Sequence, residues 1–237
     1  TEPLTKIFNE YSLLFAIMVC LKIKQLYILN KLDTIVFLSR DGYWFKEIYD
    51  IMYPMDNTEY IYFSRLYVKN NKDVIINQIN NISGNKFIFD LQGSGKTFHS
   101  LNLQNCFYFM VFLSHDSQLP NYLYKHSANI SNIKQIIEDL FIAPHGSVCS
   151  YNKITRKFDL LEPEHDIKLF QPYFKGIQLF KQYWNTMKKY FIFEMNYNSL
   201  DKLINNFHNN IEYQITLKNK MNSIIKKIIT IITIDFK

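Results

Sequence analysis

The sequence predicts an α/β protein with a mostly parallel sheet and helices on both of its faces. Short apolar runs rich in β-branched and aromatic residues alternate with segments of helical periodicity. Four of these runs predict strands: TIVFL at 34–38, YIYFSR at 60–65, KFIFD at 86–90 and CFYFMVFLS at 106–114. Strands that alternate with helices pair in parallel, because each crossover returns the chain to the same edge of the sheet.

The segments around these strands predict helices. Residues 4–29 are almost continuously apolar at helical spacing and contain no Gly or Pro, so nothing local interrupts a helix there. The segment YWFKEIYDIMY follows the first strand and has helical periodicity, and TFHSLNL follows the third strand. Each strand is therefore followed by a loop and a helix, as the α/β pattern requires.

The second half of the chain predicts additions to this core. APHGSVCSY at 143–151 predicts a loop and a short strand. Residues 169–236 are mostly helical with Lys-rich faces, although the terminal IITIITIDF is β-branched enough to form a strand. We therefore predict an α/β domain over residues 1–185 with helical additions at both ends, and a mainly helical extension over residues 186–237 that packs on it.

The composition is that of a compact globular protein. Of the 237 residues, 48% are apolar and 20% are charged, with only six Gly and six Pro, which excludes disorder and long flexible linkers. The cysteines Cys20, Cys106 and Cys149 are widely separated, which disfavours a disulfide framework or a zinc site and favours a reducing, cytoplasmic compartment. The apolar run Leu13 to Leu21 is too short to span a bilayer, so we expect no transmembrane segment.

The net charge is +6, with a sequence pI near 9.0. The lysines are scattered along the chain and do not form one basic cluster. This distribution predicts a solvated basic surface and no specific nucleic-acid partner. The sequence begins at Thr1, so other domains of a longer polypeptide are among the expected partners.

Polar residues concentrate where the predicted strands end. Parallel strands bring their carboxyl ends to one edge of the sheet, where ligands of such folds bind. Asp41 and Asp90 lie at two of these ends, and two carboxylates suit Mg²⁺. An alternative is that Asp90 caps the following helix. The full set of strand-end residues is Ser39, Arg40, Asp41, Ser64, Arg65, Asp90, Ser114, His115 and Asp116.

Three further features of the sequence have more than one interpretation. Arg40 and Arg65 could clamp an anion bidentately or pair with neighbouring carboxylates in a structural network. His115 and Asp116 could serve as a base or ligand, or could satisfy loop hydrogen bonds. His145 in APHGS could contact a substrate phosphate or belong to a turn.

The segment DLQGSGKT at 90–97 resembles a phosphate-binding loop at its end only. A P-loop requires G-x-x-x-x-G-K-[ST], in which backbone amides surround the phosphates and the lysine offsets their charge. Gly95, Lys96 and Thr97 match this pattern, but Asp90 stands where the first glycine is needed. Nucleotide binding through a degenerate P-loop is therefore an alternative function, and in the preferred interpretation GSGKT is a turn behind the site.

The order of the motifs resembles a known family. A strand followed by SRDGYW, a strand followed by SR, a strand followed by DLQGSG, and the later IEDLFIAPHGSVCSY resemble the haloacid-dehalogenase-like domains of surface-polysaccharide biosynthesis proteins. The resemblance covers Tyr11 to Trp184, including the apolar helix before the first strand and GIQLFKQYW near the end. It implies a Rossmann-like sheet with phosphate chemistry at its strand ends.

The resemblance also implies roles for individual residues. The superfamily's first motif is D-x-D-G-T, in which the first Asp attacks phosphorus and the second acts as acid and base, with Mg²⁺ offsetting the charge. On TIVFLSRDGYW, Asp41 and Gly42 match the second Asp and its glycine. Ser64 matches the hydroxyl residue that holds the phosphate, and Asp90 matches the acidic metal ligand. A magnesium site held mainly by Asp41 and Asp90 is therefore implied.

One residue departs from the family pattern in a way that affects the mechanism. Ser39 occupies the position of the nucleophilic Asp, and a neutral hydroxyl lacks the nucleophilicity and metal-binding charge of a carboxylate. The superfamily's phosphate-binding lysine has no clear counterpart either, although Lys69 and Lys72 lie in the expected region. The usual aspartyl-phosphate route is therefore not expected.

These observations predict recognition of a phosphoester, such as a sugar phosphate of glycan biosynthesis. The crevice residues would be Asp41, Asp90, Ser64, Arg40 and Arg65. Hydrolysis or transfer would make the chain a phosphatase-like hydrolase or phosphotransferase that uses Asp41 differently. The alternative is a catalytically silent binding or structural module, a pseudoenzyme within a larger protein.

Overall fold

The computed structural model describes residues 12–114, 117, 119–125, 140–163 and 166–194. The chain divides into two compact units, one covering Pro3–Lys188 and the other Lys189–Lys237. The predicted helical extension at 186–237 lies mostly outside the described residues, as do His115 and Asp116.

The order of elements follows the predicted alternation of strands and helices. The described strands are β1 (Thr34–Leu38), β2 (Thr58–Ile61), β3 (Lys86–Gly93), β4 (Cys106–Leu113), β5 (Tyr122–Lys125), β6 (Val148–Asn152) and β7 (Lys157–Leu160). The described helices are α1 (Leu13–Leu29), α2 (Gly42–Met52), α3 (Arg65–Asn70), α4 (Lys72–Asn80), α5 (Lys96–Leu101) and α6 (Gln171–Glu194), and a 3₁₀ turn at Ile167–Phe170 precedes α6.

Five strands form one sheet in the order β2-β1-β3-β4-β5, and every pair of neighbours is parallel. The predicted parallel α/β architecture is therefore confirmed. This order is one of the two common doubly wound arrangements, and its direction reverses between β1 and β3. In such sheets the crevice outside the carboxyl ends of the strands at that point is the usual ligand site.

The central strands are apolar because helices cover both faces of the sheet. On one face, the ring of Phe37 from β1 lies 5.8 Å from that of Tyr49 in α2, and Phe45 of α2 lies 5.0 Å from Phe89 of β3. On the other face, side chains of β1 and β3 share one buried cluster with side chains of α3, α4 and α5. The buried members of that second cluster include Val36, Leu38, Ile88, Tyr67, Ile75 and Phe98.

The second and third strands differ most from the sequence prediction. The second strand ends at Ile61, and Arg65 begins α3. The reason is local, since the Ser64 hydroxyl accepts a hydrogen bond from the Tyr67 amide at 3.0 Å and so caps that helix. The third strand continues beyond Asp90 to Gly93.

The remaining described elements lie after the sheet. The predicted short strand within APHGSVCSY is β6, which pairs with β7 as an antiparallel hairpin. The Phe158 ring of β7 packs 5.8 Å from Tyr67 of α3, which places the hairpin beside that helix. None of the helices that the structure describes combines the length and the hydropathy that crossing a membrane requires.

Candidate functional site at the strand ends

The carboxyl end of β1 is the centre of the candidate site. β1 lies between β2 and β3, with Leu38 in register with Ile61 and Phe37 in register with Phe89. Because Ser39, Arg40 and Asp41 follow β1 directly, they stand between the ends of the two neighbouring strands. The sequence prediction that these residues share an edge with those following β2 is therefore consistent with the strand order.

Ser39 connects the ends of β1 and β2. Its Oγ donates a hydrogen bond to the Phe63 carbonyl at 3.1 Å and accepts one from the Phe63 amide at 2.9 Å. Its own amide donates to the Ile61 carbonyl at 2.9 Å. A hydroxyl has one proton to donate, and in Ser39 that proton is directed to a backbone carbonyl. This arrangement fits a positioning role for Ser39 better than an attacking one.

Asp41 and Asp90 interact electrostatically across the site. Asp41 stands at the N-cap of α2 but makes no capping hydrogen bond with its side chain. Burial and then the charge of Asp41 raise the pKa of Asp90 to about 8, against the opposing effects of the Leu91 and Gln92 amides and of Arg65. The carboxyl of Asp90 is therefore held where an additional negative charge is unfavourable and a cation would be favourable.

The suggestion that Asp90 caps the following helix is wrong. The N-cap of α5 is Gly95, and Asp90 lies within β3, three residues before the strand ends. Asp90 is thus a side chain of the sheet itself, which fixes its backbone more firmly than a loop position would.

Arg65 is the cation that the structure brings toward Asp90. It is the first residue of α3 and is exposed, and its charge opposes the rise in the pKa of Asp90. The two residues form no ion pair within 4 Å, so the predicted salt-bridge network is not seen at this position. The guanidinium is close enough to act on the site through its charge and remains accessible to a ligand.

Ser64 and Gly42 both have structural partners. In addition to capping α3, the Ser64 hydroxyl donates to the Val148 carbonyl at 2.6 Å. A Cβ on Gly42 would lie 3.2 Å from the Cβ of Phe37, so the missing side chain lets α2 begin close against β1. The phosphate-binding roles implied for these two residues stay predictions.

His145 enters the site from the segment before β6. Its Nδ1 lies 2.9 Å from the Gly146 carbonyl, and its Nε2 lies 2.7 Å from the Tyr60 hydroxyl. A carbonyl only accepts, so Nδ1 carries the proton and Nε2 accepts from Tyr60. Burial, together with the charge of Arg40, lowers the pKa of His145 despite the bond to Gly146. The lowered pKa favours the neutral imidazole, with its proton on Nδ1.

Tyr60 is a site residue that sequence reasoning missed. Burial raises its pKa, with further contributions from Tyr62 and Asp41, and its hydroxyl lies 3.5 Å from the Arg40 carbonyl oxygen after β1. Its ring contacts those of Tyr43, Tyr62 and His145 at centroid distances of 5.7, 5.7 and 5.8 Å. The sequence offered only the position of Tyr60 in the second predicted strand, and an aromatic residue in a strand is usually interpreted as part of the hydrophobic core.

Residues 142–148, which we term the strap, are held against the site by side chains of β2 and of the segments that follow β1 and β2. The Trp44 Nε1 of α2 donates to the Ile142 carbonyl at 2.8 Å. Ser64 reaches the other end of the strap at Val148. The Tyr60 hydroxyl bonds to His145, between these two points of the strap. Three side chains therefore fix the strap over the edge of the sheet.

The segment GSGKT contains a short turn between β3 and α5. Only Ser94 and Gly95 connect β3 to α5, so the span from Asp90 to Thr97 is mostly strand and helix. Gly95 has φ +72°, and a Cβ there would lie 2.2 Å from Leu119 Cδ1. Position 95 therefore requires glycine for the turn and for the close contact. These two reasons do not involve a loop that surrounds a phosphate.

The donor set is compatible with magnesium. In the described part of the chain no group of three or more His, Cys, Asp or Glu side chains forms a metal cluster. Mg²⁺ needs fewer protein ligands, since it keeps several waters and binds through one or two carboxylates and the substrate's phosphate. Asp41 and Asp90, whose charges repel each other, are such a pair.

The fold is that of an α/β protein with a doubly wound parallel sheet, and two acidic residues, Asp41 and Asp90, lie toward the carboxyl ends of its strands β1 and β3. A scan against models of protein families gives no match to this chain, and a search of curated proteins gives none either. The resemblance to haloacid-dehalogenase-like domains therefore stays a prediction.

Proposed function

We propose that this domain binds a phosphorylated small molecule, such as a sugar phosphate, together with Mg²⁺ at the crevice between β1, β2 and β3. The observation that carries the proposal is that the charges of Asp41 and Arg65 both act on Asp90 of β3, next to the point where the strand order reverses. Two carboxylates beside an accessible guanidinium provide for a divalent cation and for a phosphate in one place.

Each residue has a distinct part in this proposal. Asp41 and Asp90 would hold the magnesium ion, which when bound offsets phosphate charge and polarises a phosphoryl oxygen. Arg65 would contact the phosphate, since a guanidinium matches phosphate oxygens bidentately. Tyr60 and His145 would line the side of the crevice toward β2 and keep the strap in place.

A catalytically silent binding module is the second candidate. The Ser39 hydroxyl is bonded in both directions to the Phe63 backbone, which supports a domain that recognises a phosphoester without forming a covalent intermediate. Hydrolysis or transfer would instead require Asp41 to act as the base toward water or an acceptor hydroxyl. The two candidates share one binding site and differ in turnover.

Calorimetry tests the binding site that the two candidate functions share. We expect glucose 1-phosphate to bind the wild-type chain in the presence of Mg²⁺ and to bind at least about tenfold more weakly without it, because the charge-assisted contacts depend on the cation. Asp41→Asn and Asp90→Asn should each weaken binding to a similar extent. Glu162→Gln, which removes an exposed carboxylate outside the crevice, is the matched control and should bind normally. Equal binding with and without Mg²⁺ in all variants contradicts the proposal.

A phosphatase panel with Mg²⁺ separates the candidates. Turnover that Asp41→Asn abolishes supports an active phosphohydrolase, whereas binding without turnover supports the silent module. Turnover that persists in Asp41→Asn shows that these residue roles are wrong.

The nucleotide alternative is tested separately by titrating ATP against Lys96→Ala, which should lose affinity only if Lys96 contacts phosphate.

A further inference from the structure

Two cationic segments that are distant in sequence are brought together by packing. The first comprises α3 and the start of α4, and the second is the turn of the β6–β7 hairpin. The Ser64 hydroxyl, which caps α3, donates to the Val148 carbonyl at the start of β6. The Tyr67 ring of α3 packs 5.8 Å from that of Phe158 in β7. The helix therefore lies against the hairpin, and the charges of both segments contribute to one part of the protein surface.

This part of the surface has an excess of positive charge. Its five exposed cations are Lys69, Lys72, Lys153, Arg156 and Lys157. Within the described ranges of the chain, none of the five forms an ion pair. The acidic residues of the two segments are fewer. Asp73 stands in the first turn of α4, and the Asp159 carboxylate of β7 accepts a hydrogen bond from the Ser150 hydroxyl.

Two aliphatic side chains are exposed among these charges. Ile154 in the hairpin turn is 93% exposed, and Leu66 of α3 is 49% exposed. Single exposed apolar residues are common, but the turn that carries Ile154 is fixed by a side chain. The Oδ1 atom of Asn152 accepts hydrogen bonds from the amide of Ile154 and from the next amide, both at 3.0 Å. Ile154 is thus held outward, with cations on both sides of it in the sequence.

This combination matches an anionic lipid bilayer better than a nucleic acid. Lysine and arginine are attracted to anionic headgroups, and an aliphatic side chain gains by entering the boundary between headgroups and acyl chains. Single-stranded nucleic acids are held by cations together with aromatic rings on which the bases stack. The rings of these segments are used in packing instead, since Tyr67 is buried and Phe158 packs against both Tyr67 and Tyr151. A nucleic acid would therefore leave Ile154 without a partner.

We propose that this domain binds the surface of an anionic membrane through α3, the start of α4 and the hairpin turn. Ile154 would enter the boundary region of the bilayer, while Lys153, Arg156 and Lys157 would contact lipid headgroups. The attachment is peripheral and reversible, because little apolar surface inserts and the remaining attraction is electrostatic. None of these residues has a part in the phosphoester crevice, so the two proposals are independent.

Vesicle sedimentation tests the charge requirement. The full chain should sediment with vesicles made of an equal mixture of phosphatidylcholine and phosphatidylserine. It should bind phosphatidylcholine alone at least about tenfold more weakly, because each lysine or arginine contributes about fivefold to affinity near an anionic surface. Raising the ionic strength should weaken the binding, since salt screens exposed charges. Equal binding to the two kinds of vesicle, or no binding to the anionic ones, overturns the proposal.

Variants locate the binding surface. The double variant Lys153→Gln/Lys157→Gln should weaken vesicle binding by about tenfold or more, and Ile154→Ser by about fivefold or more. These three positions are exposed, so the thermal midpoints should stay near that of the wild type. Lys175→Gln/Lys188→Gln removes the same charge from exposed positions of α6 and should bind as the wild type does. Unchanged affinity in both hairpin variants, or an equal loss in the α6 control, overturns the proposal.

Competition with RNA tests the other class of anionic partner. A single-stranded RNA oligonucleotide, supplied at the same phosphate concentration as the anionic vesicles, should leave the chain bound to them, because RNA offers no apolar region for Ile154. Displacement of the chain by that RNA assigns the surface to nucleic acid and overturns the proposal.

Discussion

The Tyr60 hydroxyl lies 2.7 Å from Nε2 of His145 and links the edge strand of the sheet to the strap across 85 residues of sequence. Because Nδ1 donates to the Gly146 carbonyl, the tyrosine is the donor of this pair. The bond stabilises the neutral imidazole and holds the middle of the strap beside the two-carboxylate crevice.

Tyr60→Phe should raise the pKa of His145, because it removes a hydrogen bond that only the neutral ring can accept at Nε2. We expect a loss of about 1 kcal/mol of stability as well, the usual net value of such a bond. NMR titration of the His145 ring measures the first effect and urea unfolding the second. Tyr62→Phe is the control, since the Tyr62 ring touches His145 at 5.2 Å without a hydrogen bond between them. A His145 pKa that is the same in Tyr60→Phe and wild type contradicts the assigned tautomer.

His145 also gives stability a defined dependence on pH. Burial lowers its pKa in the folded state, so the unfolded chain binds more protons below the ordinary histidine pKa of about 6.5. The contribution of His145 is therefore fully present above about pH 6.5 and is lost as the pH falls toward the folded-state pKa. His145→Gln should flatten the stability profile in the pH range below about 6.5. Unfolding free energies measured across that window check this, and parallel profiles for the two proteins would show that His145 does not contribute.

Ser39→Ala should destabilise the fold without changing phosphoester affinity. The substitution leaves the Phe63 amide without its side-chain acceptor, which costs about 1–3 kcal/mol when the group is partly buried. Chemical unfolding gives the stability, and calorimetry with glucose 1-phosphate and Mg²⁺ gives the affinity. A tenfold loss of affinity in a folded Ser39→Ala protein would instead place the hydroxyl on the ligand.

Gain of phosphatase activity in Ser39→Asp would support a degenerate active site.

The local sequence pattern was sufficient to predict strand β1 in the interior of the sheet. TIVFL predicts β1 at its observed bounds, Thr34–Leu38, because a short run of β-branched and apolar residues between polar ones is what a strand buried on both faces requires. The second strand was placed too late, because Thr58 and Glu59 are not apolar and the Ser64 cap ends the extended segment before Arg65.

The candidate site was predictable only in part. The residues after β1 and β2 could be named, because parallel strands bring their carboxyl ends to one edge. The Tyr60–His145 bond and the strap could not be predicted. They join segments that are distant in sequence, and they leave no periodic signal in it. The bidirectional bond of Ser39 to Phe63 likewise depends on the distance between two strand ends, which composition and spacing do not give.

Gly146→Ala should be strongly destabilising, because a Cβ at this position would lie 1.8 Å from the Leu161 carbonyl oxygen. That atom is backbone and cannot rotate away, and the neighbouring Leu161 amide is bonded to the Ser147 carbonyl at 2.8 Å, so the strap and the segment after β7 must separate. Overpacking of this kind costs about 1–3 kcal/mol or more. Urea unfolding should show the loss, and Trp44 fluorescence should report whether its bond to Ile142 survives. Ser147→Ala, one residue along the strap, leaves the backbone contacts in place and should stay within about 0.5 kcal/mol of wild type. Equal stability of the two variants would mean that the strap does not pack against Leu161 as described.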